Sequence, residues 1–564
     1  MKNVLFLIGT LISIFSYSQK TVAEFDAVLA QWDKPNEPGG VVGVVQNGEF
    51  IYQKAFGLAS LEFNVPNKIS TKFQLASIAK QFTAACIILL AQEGKLQLDN
   101  TIDQYFPNGP DYYKDITIQH LLNHTSGIWS FEQAFDLLLK DIIITDYEIE
   151  KLLNSLYITN FPPGDQWSYC NSGYWLLGKI VEKISDNSLE NHLKEHLFTP
   201  LKMYDTQLVK DPEIIIYNAA NGYSKDINNS YKQRIEIARD IVSSRAIIST
   251  LEDLKKWENE FYQMTILNAD FWKQMTKPGV LNNGEILEYA SGLNSPVYKG
   301  FKLIGHSGVS LGFRTSFHTL PEKKLSVIVL LNNGNIFEYD VSSAFFDLFI
   351  QDKDTTSITP NYETTVNVPI EMPLNKLQQF SGNFALEEST QFNFSIINNQ
   401  LTGISGENNV PFQLVPISDS VFVHATTPKD FYVLSLKTFT FSEFKNKQPS
   451  KLDIHVKNEY VDLVEHLNRQ ADFHLNLDSY VGIYRNETLN VSYEFIKKNE
   501  NLFLKVKNYE PIKINFKTPY KTYNIPHIAW GGFTITFLKK TNEITSLILS
   551  SDRVQNLELK KIKT

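Results

Sequence analysis

Phe73-Gln74-Leu75-Ala76-Ser77-Ile78-Ala79-Lys80, running on into Gln81 and as far as Gly94, is the stretch on which the architecture of this chain turns. Ala84, Ala85, Ile87, Ile88, Leu89, Leu90 and Ala91 follow at helical density, and Gly94 supplies a C-terminal stop. A helix is therefore predicted from Ser77 to about Glu93. It is apolar on most faces, so it belongs in a core. Positions i and i+3 share a helix face, which lets the Lys80 ammonium reach the Ser77 hydroxyl. A serine at a helix start also lies where backbone N–H groups can hold a developing oxyanion. Taken alone, Ser-x-x-Lys describes an ordinary N-capping serine and a solvated lysine equally well.

Two further motifs follow. Tyr169-Cys170-Asn171 directly precedes a helix predicted from Ser172, whose stripe is Trp175, Leu176, Leu177, Ile180 and Val181; residues 172–205 read as helix, turn, helix. A tyrosine in a cationic pocket can have a depressed pKa and act as a base. An asparagine amide can hold Lys80 and a substrate amide at once. The plainer alternative is a strand-end Tyr169 and an Asn171 N-cap. His306-Ser307-Gly308 lies in the run Leu303 to Phe313, which reads as an edge strand beside a pocket, with Gly308 admitting a ligand close to the backbone. Around these motifs, residues 39–58 read as a hairpin turning at Asn47-Gly48. Leu251 to Phe261 reads as a helix, and Lys302–Ile304, Phe313–Thr319 and Leu325–Leu331 as strands.

Together the three motifs resemble the serine β-lactamase and penicillin-binding protein family, particularly its class C (peptidase S12-type) branch, whose members include D,D-peptidases, D-aminopeptidases and esterases. Phe73 to Ala76, Glu93 to Asp99, Leu121-Leu122-Asn123-His124-Thr125-Ser126-Gly127, Pro200 to Met203 and Ile248 to Leu254 extend the likeness over about residues 25–350. The resemblance implies an α/β (α+β) domain: an antiparallel sheet flanked by helices, a helical lobe between the first and third motifs, and the site between the lobes. It implies that Ser77 attacks a carbonyl and is acylated, and that Tyr169, assisted by Lys80, moves the proton. Asn171 would orient substrate and Lys80, and His306, Ser307 and Gly308 would line the substrate. The N–H groups of Ser77 and Val309 would form the oxyanion hole. No metal or cofactor is called for.

This sequence departs from the pattern at three places. His306 stands where β-lactamases usually carry Lys; an imidazole holds a substrate carboxylate less strongly, and its charge would vary near neutral pH. Cys170 takes the place of the commoner Ser, with its side chain expected to point away from the reacting pair. Ser243-Ser244-Arg245-Ala246 falls where relatives are often Gly-rich, which would let Arg245 line the pocket.

The rest of the 564 residues bound the function classes. A net charge of −9 without basic blocks gives no footprint for nucleic acid. Two cysteines exclude a disulfide scaffold and a Cys-based metal centre, and Cys86 in a buried helix is not expected to pair with Cys170. His120 and His124 stand at i, i+4 without a third ligand nearby, so structural roles are expected. Met1 to Ser18 reads as a secretory signal: a positive start, an apolar run from Val4 to Phe15, and small residues before Gln19. No later stretch is long enough to span a membrane. The expectation is a periplasmic or secreted enzyme. Residues 19–354 form the catalytic domain and 355–371 a linker rich in Thr, Pro and Asn. Leu377 to Phe384 returns 100 residues later as Leu477 to Tyr484, so two β-rich, barrel-like modules are predicted at 372–470 and 471–564. Trp530 and Tyr523 are read as barrel core, with a ligand cleft as the alternative. The whole reads as an exported serine hydrolase acting on D-amino-acid peptides, small esters or β-lactams. The alternatives are a binding or sensor domain served by its β modules, and an acyl trap that never turns over.

Overall fold

The computed structural model describes residues 20–138, 144–210, 214–226, 230–234, 246–310, 312–350, 370–385, 391–397, 399–405, 411–424, 437–457, 462–469, 475–505, 511–514, 516–518, 520–522, 525–527, 531–540, 543–551 and 553–562. Met1 to Gln19, where a secretory signal is expected, residues 355–369 of the expected linker, Ser243 to Arg245, Tyr523 and Trp530 lie outside the described residues.

A five-stranded antiparallel sheet carries the catalytic domain, in the order Ile304–Ser310, Phe313–Leu320, Leu325–Leu331, Gly40–Gln46, Glu49–Phe56. Asn47 and Gly48 take φ of 53° and 85°, both positive as a tight hairpin turn requires. Alternate residues of Gly40–Gln46 feed two cores. Val42 and Val44 pack with Phe25 and Phe345 on one side; Val41 and Val45 share the other with Phe82 and Trp257. The helices Val22–Leu29 and Glu338–Asp347 cover the first face, and Leu251–Gln263 and Lys80–Gln92 lie toward the second. Lys80–Gln92 is buried along nearly its whole length, as its apolar composition predicts.

Ile304–Ser310 is the edge strand, with Gly308 opposite Thr315. The close approach at Gly308 is made by the chain itself. A Cβ there would lie 2.2 Å from the Leu75 carbonyl oxygen and 2.4 Å from Thr315 Oγ1. Glycine is needed to seat this strand against the turn leading into Ser77, which corrects the reading of Gly308 as room for a ligand.

The first β module is a closed eight-stranded barrel running from Gly382–Ala385 to Asp462–Arg469, its interior filled by Phe384, Phe392, Phe394, Phe422, Phe439 and Phe441. The second is a ten-stranded sheet from Gly482–Asn486 to Leu557–Lys561. The strands at the two ends of its path, Ile512–Lys513 and Phe516–Thr518, are parted by two residues, so the sheet curls until its edges nearly meet. The repeat is structural. Each copy opens with a short 3-10 turn, then a glycine at φ 144° (Gly382) or 142° (Gly482), then a strand paired with the module's final strand.

The two modules differ in their packing. Phe384 and its neighbours form a core of their own. Tyr484, Tyr493, Phe495 and Leu547 belong to the same continuous apolar cluster as Trp129, Phe131 and Leu177 of the catalytic domain. Tyr493 Oη donates to the Leu137 carbonyl at 2.8 Å inside that contact. Burying an aromatic side chain stabilises by roughly 2 kcal/mol, so the second module is fused to the catalytic domain through a shared core. Among the described residues, no helix is long and apolar enough to cross a membrane.

Candidate active site

Ser77 sits in the 3-10 turn Ala76–Ala79, and Lys80 opens the α-helix Lys80–Gln92. Lys80 Nζ donates to Ser77 Oγ at 3.2 Å. Lys80 is fully buried, its ammonium 4.8 Å from the centre of the Tyr169 ring and 5.6 Å from that of Tyr174. A solvated surface lysine is thereby excluded. Ala76 holds φ at 49°, an uncommon conformation for a residue with a Cβ. Bonds on its N-terminal side pin it: Leu75 N–H donates to the Ile247 carbonyl at 2.8 Å, and Thr315 Oγ1 donates to the Leu75 carbonyl at 2.8 Å.

Tyr169 is brought beside this pair. Burial pushes its phenol well above the ordinary value; the Ser77 hydroxyl and the Arg553 charge pull the other way without overcoming it. The depressed pKa expected from a cationic pocket is not realised, because desolvation outweighs the cations. Burial therefore favours the neutral phenol of Tyr169. Its ring leans on His124, centroid to centroid 4.3 Å. His124 is buried, adopts φ 60°, and accepts from Cys170 N–H through Nδ1 at 3.1 Å. Burial first, and then the charge of Lys80, hold its imidazole neutral.

Cys170 is extended, and its Sγ turns to the Ile128 carbonyl at 3.2 Å, away from Ser77 as expected. Both cysteines are free and buried. Asn171 is the first helical residue of Asn171–Ser185 rather than its cap. Its Nδ2 donates to Glu132 Oε1 at 2.7 Å. Ser130 Oγ donates to the other Glu132 oxygen at 2.9 Å and accepts from Asn171 N–H at 3.3 Å. The carboxylate therefore fixes the amide and leaves Asn171 Oδ1 buried and without a partner, turned to whatever donor enters.

His306 is 4% exposed. Its Nε2 faces Tyr289 Oη at 3.1 Å and its Nδ1 lies 2.5 Å from the Ser307 carbonyl oxygen. Burial, reinforced by Lys80, pushes the imidazole down to about 3. The expectation of a charge that varies near neutral pH is thus corrected: desolvation keeps His306 neutral, with both ring nitrogens occupied. Ser307 borders a cleft of about 690 Å³ that Trp167, Tyr289, Leu287 and Tyr339 also line. Val309, at the exposed end of the edge strand, is 46% exposed.

Sequence reasoning missed four contributors. Glu132, Tyr174 and Tyr289 reach the site only through tertiary packing. The fourth is Arg553, from the loop between the strands Glu543–Ser550 and Leu557–Lys561 of the last module. Its guanidinium carbon lies 4.9 Å from the centre of the Tyr169 ring. Its backbone is clamped by the catalytic domain: the Arg553 carbonyl accepts from Asn160 Nδ2 at 3.1 Å and from Ser130 N–H at 3.3 Å, while Gln555 N–H donates to Asn160 Oδ1 at 2.8 Å.

His120 and His124 serve separate local roles, His120 Nδ1 accepting from Thr117 N–H in a helix cap at 3.2 Å. Among the described residues no group of three or more His, Cys, Asp or Glu could hold a metal. The arrangement offers a hydroxyl nucleophile, a lysine–tyrosine pair to move its proton, and backbone donors on a strand edge.

Residues 21–347 match the family described as Beta-lactamase. Penicillin-binding protein 4* of Bacillus subtilis (strain 168) is 30% identical over 321 residues, covering 53% of this chain and 69% of that protein. D-aminopeptidase of Brucella anthropi is 28% identical over 316 residues, covering 55% of this chain and 58% of the relative, so the chain spans little more than half of that enzyme. Among solved structures, the octameric penicillin-binding protein homologue from Pyrococcus abyssi superposes with a TM-score of 0.54 at 21% identity, over 80% of this chain and 100% of the other. At that identity the likeness shows the fold alone.

Proposed function

The chain belongs to the beta-lactamase family, and on that premise we propose that it is a serine hydrolase forming an acyl-enzyme from amide or ester substrates. The observation that supports this most directly is the fully buried Lys80 with its Nζ 3.2 Å from Ser77 Oγ. A buried lysine on a serine hydroxyl is costly to maintain as packing alone and is the arrangement that activates a nucleophile.

In this reading the reactive form of the Lys80–Tyr169 pair carries one proton fewer than ammonium plus phenol, and Tyr169, assisted by Lys80, accepts the Ser77 proton as Ser77 Oγ attacks the carbonyl carbon. The oxyanion rests on the N–H groups of Ser77 and Val309, each contributing about 3–4 kcal/mol. The pair returns the proton to the departing amine or alcohol as the carbonyl–heteroatom bond breaks. Water, giving its proton to the same pair, then attacks the acyl carbon, and Ser77 recovers its hydrogen as the acid leaves. Substrates are D-amino-acid peptides, muropeptide-like amides, small esters or β-lactams; the names of the relatives favour the first. Export to the periplasm or medium, with cleavage near Ser18, is part of the same proposal and rests on the composition of Met1 to Gln19.

The test is intact-protein mass after incubation with a fluorophosphonate and with a penicillin, for the wild type and Ser77→Ala. One adduct in the wild type and none in the variant is expected. Labelling or hydrolysis that survives Ser77→Ala would falsify the proposal. Tyr169→Phe, which keeps the ring against His124 and loses the hydroxyl, is expected to lower kcat by about 10²–10⁴.

A further inference from the structure

We propose that Arg553, carried into the catalytic cleft by the last β module, is a specificity-determining residue that binds a free carboxylate of the substrate. The inference rests on the hydrolase reading above and goes beyond it by assigning the substrate's charge.

Two cations stand over the Tyr169 ring, Lys80 at 4.8 Å and Arg553 at 4.9 Å. Lys80 is fully buried and bonded to Ser77, so it serves the reacting atoms. His306, the third-motif residue that the sequence offers as a carboxylate anchor, is buried with both ring nitrogens engaged by Tyr289 and the Ser307 carbonyl. Arg553 brings a permanent charge against the ring of Tyr169, the residue beside the Ser77–Lys80 pair, where an anionic group of a bound substrate would meet it. A guanidinium presents parallel N–H donors that match a carboxylate with two bonds. Its charge already acts within the site, disfavouring protonation of His124 and favouring ionisation of Tyr169.

The loop is held for this purpose by its backbone. Asn160 and Ser130 both bond the Arg553 carbonyl, and Ser130 is itself tied to Glu132 and Asn171. On the loop's side these clamping bonds are made by backbone atoms, the Arg553 carbonyl and the Gln555 N–H. Ser130 couples the loop's position to the residue that faces the substrate, Asn171.

The experiment uses the full chain and two reporter thioesters of an acyl-D-alanine. In one the leaving group carries a free carboxylate; in the other that carboxylate is methylated. The wild type is expected to favour the carboxylate by at least tenfold in kcat/KM. Arg553→Gln is expected to bring the two within twofold of each other, mainly by slowing the charged substrate. Arg553→Lys should keep part of the preference, and Arg553→Glu should reverse it. Fluorophosphonate labelling of Ser77 is followed in every variant. A wild type that labels at Ser77 without preferring the carboxylate overturns the role of Arg553 and leaves the hydrolase reading standing. So does an Arg553→Gln variant in which both substrates slow equally. A wild type that fails to label at Ser77 overturns the hydrolase reading, and this assignment with it.

Discussion

Asn171 Nδ2 donates to Glu132 Oε1 at 2.7 Å, and this one bond decides which end of the amide faces the cleft. Glu132 is 2% exposed and also holds Ser130, so the carboxylate orients both Asn171 and the residue that clamps the Arg553 loop. Glu132→Ala leaves buried donors unmatched, at about 1–3 kcal/mol each. The melting temperature is expected to fall, and kcat/KM to drop by about 10–100-fold as the Asn171 amide loses its orientation. Glu132→Gln, which retains an acceptor oxygen, should recover most of the stability. Unaltered kcat/KM in Glu132→Ala would show that the amide's orientation does not matter to turnover.

His306 gives the protein a defined acid limit. Its folded pKa is pushed from 6.5 down to about 3, so between those values the unfolded chain takes up a proton that the folded one refuses. Stability therefore rises with pH across that window and is lost as the pH falls through it. His306→Gln is expected to lessen the slope between pH 3 and 6.5 in urea unfolding by one group's share, with His318 and His192, both pushed down to about 4, still contributing theirs. Histidine NMR should show no titration of His306 between pH 5 and 8. A resonance moving in that range would contradict the burial argument.

Glu258 acts with the opposite sign. It lies on Leu251–Gln263 against the sheet, 1% exposed, with Oε1 accepting from Ser326 Oγ at 2.8 Å. Burial pushes its carboxyl from 4.5 up to about 7. The folded state keeps a proton that the unfolded state releases, so stability declines from pH 4.5 to 7, by roughly 3 kcal/mol in full. Glu258→Gln should remove this decline. Identical pH–stability curves above pH 5 for the two proteins would refute it.

Gly308→Ala tests the seat of the nucleophile. The added Cβ meets the Leu75 carbonyl at 2.2 Å and Thr315 at 2.4 Å, and neither can yield without moving the turn that holds Ser77. A loss of 1–3 kcal/mol, about what overpacking costs, is expected. A fall in Ser77 labelling rate by about tenfold or more should accompany it. A variant that labels at the wild-type rate would mean the strand and the turn are not mechanically linked.

What could be read from residues alone followed the range of the interaction. Ser77 and Lys80 are three positions apart on one helical turn, and Asn47-Gly48 makes its own hairpin, so local geometry sufficed. The repeated glycine of Gly382 and Gly482 was legible because both copies need the same positive φ. The direction of the Tyr169 shift and the neutrality of His306 were not, since both depend on burial by elements distant in the chain. Glu132 sits in an unremarked stretch, and its use becomes visible only when Asn171 is folded against it. Arg553 is one arginine in a surface-like turn; nothing local distinguishes it from a solvated residue.

The shared core between the second module and the helical lobe has a consequence for the order in which this protein becomes competent. Synthesis from the N-terminus delivers Ser77, Lys80 and Tyr169 early, and His306 well before the β modules exist. The turn bearing Arg553 leaves the ribosome after all of these, and it reaches Tyr169 only once the strands around it, Glu543–Ser550 and Leu557–Lys561, have paired. A nascent chain, or one clipped within that module, therefore holds Ser77 and Lys80 beside a Tyr169 ring that still lacks the Arg553 charge.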